Sequence, residues 1–235
     1  MSMLGGAQSG LGLAERPESR ARTHGYVARS STLPAYQDQA SVYDIQTERF
    51  DHWRQRLIDL LPLQVGNVVL DVGCGTGLCF PRLLRRVGAT GVVVGIDESA
   101  EMLAVARRRI ADNGWSNVTL IESAVEYADI PVTADAALFS AVHDILRSGR
   151  ALQNVFAHLH VGAWVAAGGG KWALPWMGGL NLLVLAVHQR YVRDFEGFDR
   201  PWSRLERFVD DLRIEEVEFG TGYLAVGRAR PVHVA

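Results

Sequence analysis

The sequence is poor in cysteine, in charge of one sign and in long apolar runs. Its 235 residues include two cysteines, Cys74 and Cys79, and the formal net charge at pH 7 is −2. Because the two cysteines lie in one short stretch, they do not frame a loop for a disulfide, so reduced thiols and a cytoplasmic location are expected. The near-neutral charge lacks the basic excess of proteins that bind nucleic acid or anionic membranes.

The longest apolar stretch is also too short to cross a membrane. Residues 173–187 contain Pro175 and Asn181, and a spanning helix needs about 20 predominantly apolar residues. We therefore expect no integral membrane segment and interpret the stretch as a buried helix or the wall of an apolar pocket. Residues 1–35 are predicted to be a disordered tail, and residues 36–235 a single domain with a helical insertion on the substrate side at 172–203.

The sequence does contain short β-branched runs that alternate with helical patterns from residue 67 onward. This alternation predicts βαβ units and a parallel sheet covered by helices on both faces. The last two runs, "RIEEVEF" and "YLAVGRA", have three residues between them, which cannot hold a crossover helix. The predicted fold is α/β: a doubly wound, Rossmann-like sheet of seven mostly parallel strands with a terminal antiparallel hairpin.

The stretch "NVVLDVGCGTGLCF", residues 67–80, is a strand that runs through Asp71 into Gly73, Gly75 and Gly77. A glycine turn after such a strand puts bare backbone at the carboxyl edge of the sheet, where these folds bind ligands. A dinucleotide fingerprint would need a further glycine at position 78. That position is Leu78, which argues against a nicotinamide-dependent oxidoreductase.

A second acid stands in the stretch "DESAEML", which opens at Asp97 behind an apolar run. The glycine stretch and this one, with their spacing, resemble the first two motifs of the class I S-adenosylmethionine-dependent methyltransferases. The segment "QASVYD", residues 39–44, is similar to an element of the menaquinone-methyltransferase-like branch. The resemblance implies that S-adenosylmethionine is the cofactor, that S-adenosylhomocysteine is the product, and that no metal is needed.

The resemblance also implies which residues contact the cofactor. A carboxylate at Asp97 can accept hydrogen bonds from both ribose hydroxyls, and one at Asp71 can offset the charge of the amino group. Tyr43 is expected to close over the cofactor, and Ser123 stands where the family usually has an acid beside the adenine. The implied cofactor-binding residues are Tyr43, Asp71, Gly73, Cys74, Gly75, Gly77, Asp97, Glu98, Met102, Ser123, Ala124 and Ser140.

The acceptor side of the site is expected after the fourth strand, in "FSAVHDILRS". His143 is the candidate general base, because its unperturbed pKa lies near working pH, and Asp144 is expected to cap the helix that begins near Ile145. The stretch lacks the proline and aromatic residues that grip a flipped base in nucleic-acid methyltransferases. Trp172, Trp176 and Tyr191 of the insertion are candidates for an apolar substrate pocket.

The function predicted from these features is methyl transfer from S-adenosylmethionine to oxygen or nitrogen of a small, apolar or aromatic acceptor. One alternative is a phospholipid amine N-methyltransferase of the phosphatidylethanolamine type, which the apolar stretch at 173–187 suggests. A second alternative is a regulator or partner subunit that binds S-adenosylmethionine without catalysis. The sequence leaves open a homodimer and the identity of the acceptor.

Overall fold

The computed structural model describes Asp44 and residues 47–231. These residues belong to one compact unit. The tail predicted at residues 1–35 and the candidate lid Tyr43 lie outside the described residues. The boundary at residue 36 therefore stays a prediction.

Seven strands form one sheet in the order β3-β2-β1-β4-β5-β7-β6. All neighbouring strands are parallel except that β7 runs antiparallel to both β5 and β6. This arrangement confirms the predicted mostly parallel sheet with a terminal antiparallel hairpin. The strands are β1 (Val68–Val72), β2 (Val92–Asp97), β3 (Val118–Glu122), β4 (Ala134–Ser140), β5 (Leu159–Gly170), β6 (Val209–Val217) and β7 (Gly222–Ala229).

The helices connect these strands. They are α1 (Asp51–Asp59), α2 (Phe80–Val87), α3 (Ala100–Asp112), α4 (His143–Arg147), α5 (Gly149–Ala157) and α6 (Gly178–His188), with short 3-10 turns at Glu48–Phe50, Val125–Tyr127, Leu205–Arg207 and Glu218–Gly220. Local sequence favours the start of two of the helices, α3 and α5. For example, the Ser99 hydroxyl accepts a hydrogen bond from the Met102 amide and caps α3, which stabilises the start of a helix.

Two hydrophobic cores lie on opposite faces of the sheet, because successive side chains of a strand point to opposite faces. Leu70 and Val72 of β1 belong to one core, together with residues of α5. Val69 belongs to the other core, which includes residues of α1, α2 and α3. Asp71 is two residues after Val69, so its side chain points to the same face of the sheet, the face that α1 covers. Burial of both faces matches the apolar strands of the sequence.

The insertion is less buried than its composition suggests. In α6 only Val184 is buried, while Leu182 and Leu183 are 70% and 60% exposed. Of the two interpretations of residues 173–187, the buried helix is therefore wrong, whereas Val187 does line a cavity at the strand ends. One face of α6 packs toward the strand ends. The opposite face, with Leu182 and Leu183, points outward and is not covered by the described part of the chain.

Candidate functional site

The site lies where the chain order of the sheet reverses. β1 has β2 on one side and β4 on the other, so the connections leave in opposite directions and a crevice opens at the carboxyl ends of these strands. The amides of Gly73 and Cys74 both donate to the Ile96 carbonyl, at 2.8 and 3.0 Å. These bonds hold the glycine turn against the end of β2.

The glycine turn presents its backbone without side chains. Gly73, Gly75 and Gly77 have φ values of 71°, 54° and 77°, in the left-handed region that glycine adopts without strain. A Cβ at Gly73 would lie 2.5 Å from Val142 Cγ1, whereas one at Gly75 would have no atom within 4 Å. Gly73 therefore permits the loop after β4 to pack closely, and Gly75 faces open space.

Two cavities meet at this turn. The first cavity has a volume of about 220 Å³, and Asp71, Cys74 and Phe198 are among its lining residues. The second cavity has a volume of about 240 Å³ and is lined by Asp97, Glu98 and Met102, among others. A shared set of residues lines both cavities: Gly73, Gly75, Ser140, Ala141, Val142, His143 and Tyr191.

Asp71 is the most buried charged group of the first cavity, with 1% exposure. Its Oδ2 atom has no hydrogen-bond partner among the described residues. Burial, and secondarily the negative charge of Asp97, raises the pKa of Asp71 to about 7, while Arg54 and a hydrogen bond from Cys79 act in the opposite direction. A buried carboxyl with an unpartnered oxygen would be stabilised by a cationic ligand.

Asp97 ends β2 at the second cavity and is held in a fixed orientation. Its Oδ2 accepts a hydrogen bond from the Gly75 amide at 2.8 Å, and its Oδ1 accepts one from the Ser99 amide at 2.9 Å. Burial raises the pKa of Asp97, and the two amides oppose that rise. A carboxylate can accept about four hydrogen bonds, so Asp97 retains capacity for a ligand.

His143 is the first residue of α4 and lines both cavities. It is 8% exposed, and neither ring nitrogen has a hydrogen-bond partner in the described part of the chain. Its ring meets Phe198 edge-on, with 4.9 Å between ring centroids. Burial lowers the pKa of His143, and the charge of Asp144 opposes this, so the imidazole is neutral at neutral pH.

The cap predicted at Asp144 is wrong. The N-cap position belongs to Val142 and shows no side-chain cap, and Asp144 lies in the first turn of α4. An acid in the first turn still interacts favourably with the helix dipole.

Ala141, between Ser140 and the helix, has a φ of 58° although it is not a glycine. Its amide donates to the Gly168 carbonyl at 2.7 Å. A non-glycine residue in this region carries strain of about 1 kcal/mol or more, and such strain clusters at functional sites. The bend at Ala141 directs the chain over both cavities.

Ion pairs hold the segment that follows α6 across the second cavity. Arg193 Nη2 lies 3.0 Å from Glu98 Oε1, and both residues line that cavity. On the other side, Arg147 of α4 pairs with Asp194 at 2.9 Å and with Glu196 at 2.5 Å. The insertion is thus attached to the residue after Asp97 and to the helix that carries His143.

Several predicted residues lie elsewhere than the predicted contacts require. Ser123 does not line either cavity, and its hydroxyl donates to the Ala124 carbonyl at 3.0 Å. Trp176 is 78% exposed, and Trp172 stacks on Phe195 behind the cavity wall, with 5.1 Å between ring centroids. The structure therefore does not support the adenine contact of Ser123 or a pocket role for the two tryptophans, whereas Tyr191 lines both cavities.

The structure adds residues that the sequence did not single out. Arg54 of α1 and Tyr223 of β7 line the first cavity, and Glu126 lines the second near Ala124. His188 also lines the first cavity, and its imidazole fills the space where a side chain at Gly170 would stand. No local pattern marks these residues, because each comes from a separate element that tertiary packing brings to the strand ends.

The described part of the chain offers neither a membrane-crossing helix nor a ready metal site. None of its helices combines the length and the apolar content that a membrane crossing requires. Among its residues no cluster of three or more histidine, cysteine, aspartate or glutamate side chains is placed to hold a metal ion.

Comparison with known proteins identifies the central part of the chain. Residues 69–162 match a family model described as a methyltransferase domain. This segment contains the glycine turn, Asp97 and His143. These residues are therefore similar to a methyltransferase domain. A methyltransferase from Aquifex aeolicus described as dependent on S-adenosylmethionine has the same fold, with a TM-score of 0.56, 22% identity, and coverage of 82% of this chain and 98% of that one.

Two curated relatives each match less than half of this chain. Aklanonic acid methyltransferase of Streptomyces sp. strain C5 is 34% identical over 104 residues, which cover 44% of this chain and 47% of the relative. Ubiquinone/menaquinone biosynthesis C-methyltransferase of Pseudomonas aeruginosa is 39% identical over 80 residues, which cover 34% of this chain and 31% of the relative. The match spans less than half the length of each relative.

The buried Asp71 should make the folded chain less stable as pH rises. Its folded pKa of about 7 exceeds the ordinary value of 3.8, so its contribution is fully favourable only below about pH 4 and declines as pH rises toward 7. Asp71→Asn should remove this dependence and gain up to about 4 kcal/mol relative to wild type between about pH 4 and pH 8. Urea unfolding of both proteins across this pH range measures the difference.

Asp59→Asn is the matched control with the opposite sign. Hydrogen bonds from Arg82 are the main cause that lowers the pKa of Asp59, so its contribution is present above about pH 4 and is lost as pH falls below it. The raised pKa of Asp71 would be contradicted if the stability of both variants relative to wild type changed with pH in the same direction. It would also be contradicted if the stability of Asp71→Asn relative to wild type did not change with pH.

Proposed function

We propose that the chain is an S-adenosylmethionine-dependent methyltransferase that acts on a small, apolar or aromatic acceptor. The observation that carries this proposal is the pair of carboxylates at adjacent strand ends, with bare glycine backbone beside both. The match of residues 69–162 to a methyltransferase domain supports the activity. The relatives are named for aklanonic acid and for ubiquinone and menaquinone biosynthesis, which supports a small organic acceptor.

The residues at the two cavities fit the cofactor chemically. The unpartnered Oδ2 of Asp71 would accept a hydrogen bond from the cofactor's ammonium group. Asp97 would bind the ribose hydroxyls, and the open space at Gly75 would accommodate the chain between them. Bound there, the cofactor supplies an electrophilic methyl group on a sulfonium.

The second cavity fits the nucleoside end. Met102 is 3% exposed and lines this cavity together with Ala124, so both can contact an adenine ring. Glu126 lies two residues beyond Ala124, in the 3-10 turn Val125–Tyr127, and lines the same cavity. We infer that Glu126 provides the carboxylate that the sequence lacks at Ser123.

The remaining part of the first cavity fits an acceptor. Phe198, Val142 and Tyr223 line it and are mostly apolar, so they exclude water from the reacting atoms. Methyl transfer from a sulfonium disperses charge, and positioning in a dry site therefore provides much of the catalysis.

His143 is the proposed general base for an acceptor with a hydroxyl group. Its neutral imidazole lines the cavities on both sides of the glycine turn and has two ring nitrogens without a described partner. It would receive the hydroxyl proton as the oxygen is methylated. The name of the Pseudomonas relative contains "C-methyltransferase", so carbon joins oxygen and nitrogen as a candidate acceptor atom.

A phospholipid amine is the second candidate acceptor, and the outer face of α6 favours it. Leu182 and Leu183 are largely exposed there, as is Trp176 just before the helix, and residues 172–189 contain no Asp, Glu, Lys or Arg. The inner face of the same helix contributes Val187 and His188 to the first cavity. An apolar helix beside the cavity could contact a lipid surface.

We expect Asp97→Ala to weaken binding of S-adenosylhomocysteine by about 1–3 kcal/mol, because charge-assisted hydrogen bonds to ribose are lost. Isothermal titration calorimetry measures the change. Asp112→Ala, at the exposed end of α3, is the control and should keep wild-type affinity. Equal affinities for all three proteins would remove Asp97 from the binding site.

We expect His143→Ala to lower the rate with an oxygen acceptor by roughly 10²–10⁴-fold. Because the pKa of His143 lies below its ordinary value of 6.5, the wild-type rate should hold at neutral pH and fall as pH drops through that lowered pKa. The rate of the His143→Ala variant should not show this fall at acidic pH. His160→Ala, at an exposed position of β5, should retain it, and near-wild-type turnover of His143→Ala would leave positioning as the mechanism.

An acceptor screen with a labelled methyl donor tests the function itself. Phenols, quinols and amines in solution should be methylated, and a parallel arm offers phosphatidylethanolamine vesicles. Labelling of vesicles alone, lost in Leu182→Ser/Leu183→Ser, would establish the second candidate. Cofactor binding without turnover in either arm would instead indicate a non-catalytic regulator or partner subunit.

A further inference from the structure

The first cavity has a second histidine besides His143. His188 is the last residue of α6, and it lines this cavity together with His143 and Phe198. The ring centroids of His143 and His188 lie 4.9 and 5.4 Å from the ring centroid of Phe198. Two polar rings that pack against one apolar ring therefore border the same space, where a single small molecule can contact both.

The end of α6 fixes which ring nitrogen of His188 carries the hydrogen. Nδ1 of His188 lies 2.9 Å from the Val184 carbonyl oxygen. Because a carbonyl oxygen can only accept, Nδ1 is the donor, and Nε2 of the neutral ring is a hydrogen-bond acceptor. Burial lowers the pKa of His188, the bond to Val184 opposes this, and the charge of Arg49 lowers the pKa further. The ring is therefore neutral at neutral pH.

The position of Nε2 depends on a glycine at the end of β5. A Cβ at Gly170 would lie 2.1 Å from His188 Nε2 and 2.6 Å from Cε1, so the imidazole can stand there only because residue 170 has no side chain. Gly170 lines the same cavity. In the described part of the chain, the bond from Nδ1 is the one hydrogen bond that His188 makes, which leaves Nε2 available to a ligand.

An acceptor atom at the wall of an apolar cavity costs free energy unless a ligand supplies a donor. His143 is the proposed base for the hydroxyl group that receives the methyl, so that hydroxyl does not serve His188. We propose that His188 Nε2 accepts a hydrogen bond from a second hydroxyl or N–H group of the methyl acceptor, so that the site selects molecules with two polar hydrogens. This inference rests on the proposed function and extends it to the chemistry of the acceptor.

A competing role for His188 is purely structural. Its bond to Val184 and its contact with Phe198 would then stabilise the end of α6 and the cavity wall without touching a ligand. The two roles differ in which ligands sense the ring. A structural role affects every ligand of the first cavity alike, whereas a hydrogen bond affects only ligands with the second polar hydrogen.

Pairs of small probes separate these roles in NMR titrations of the full chain saturated with S-adenosylhomocysteine. The isomeric dihydroxybenzenes place a second hydroxyl at each position of the ring, and the matching methylphenols carry a methyl group of similar size in its place. At least one diol should bind the wild type about 3–10-fold more tightly than its methyl partner, which is the change expected for one hydrogen bond.

His188→Leu should remove this preference, because leucine keeps an apolar side chain of similar size without the ring nitrogen. The variant should bind the preferred diol about 3–10-fold more weakly than the wild type does, and the affinity for the methyl partner should change by less than about twofold. His188→Gln supplies an amide oxygen as acceptor and should recover part of the preference.

Gly170→Ala tests the geometry without changing the histidine. The added methyl group should displace the imidazole and reduce the preference for the diol, as His188→Leu does. Gly179→Ala is the matched control, because a Cβ at Gly179 in α6 would have no atom within 4 Å, and it should keep the wild-type preference. Thermal unfolding of each variant verifies that it is folded.

The outcomes separate this inference from the proposed function. It would be overturned, with the proposed function intact, if the wild type bound every diol only as tightly as its methyl partner, or bound none of the probes. A preference that survives in His188→Leu, or equal weakening of both members of a pair, would overturn it too. Failure of the wild type to bind S-adenosylhomocysteine would overturn the proposed function and this inference with it.

Discussion

The buried carboxyl of Asp71 at the end of β1 is the constraint on which the rest of the site depends. It is placed where the sheet reverses its connection order, with an oxygen that no described group satisfies. In the free protein, burial holds its pKa near 7, so the fold carries an electrostatic cost that a bound cation would relieve. The negative charge of Asp97 on β2 raises the pKa of Asp71 further, and the positive charge of Arg54 on α1 lowers it.

The surroundings of Asp71 are shaped by backbone rather than by side chains. A side chain at Gly73 would collide with Val142, and Ala141 adopts a strained φ where the chain leaves β4. Both features bring the loop that carries His143 close to the glycine turn. The ion pair between Arg193 and Glu98 then attaches the insertion to the same edge. The proposed catalytic side and the proposed cofactor side are therefore parts of one packed unit.

The sequence predicted the sheet well for a local reason. Alternation of β-branched runs with helical patterns is a short-range property, and a hairpin with three intervening residues has few alternatives. The positions of the glycine turn and of Asp97 could be predicted because each lies at the end of a strand. The roles predicted for Ser123 and Trp176 depend on the orientation of a side chain, which neighbouring residues do not determine. The Ser123 hydroxyl donates to a backbone carbonyl, and Trp176 faces outward. Composition alone could not distinguish these orientations.

The sequence by itself determined the order of elements and the two acids at strand ends, because hydrophobic period and turn chemistry act over a few neighbouring residues. Only the tertiary structure decided which distant residues join those acids. Arg54, Glu126, His188 and Tyr223 come from four separate elements, and no spacing along the chain links them. Packing of helices and strands across the sheet sets these contacts, and that packing is a property of the whole fold.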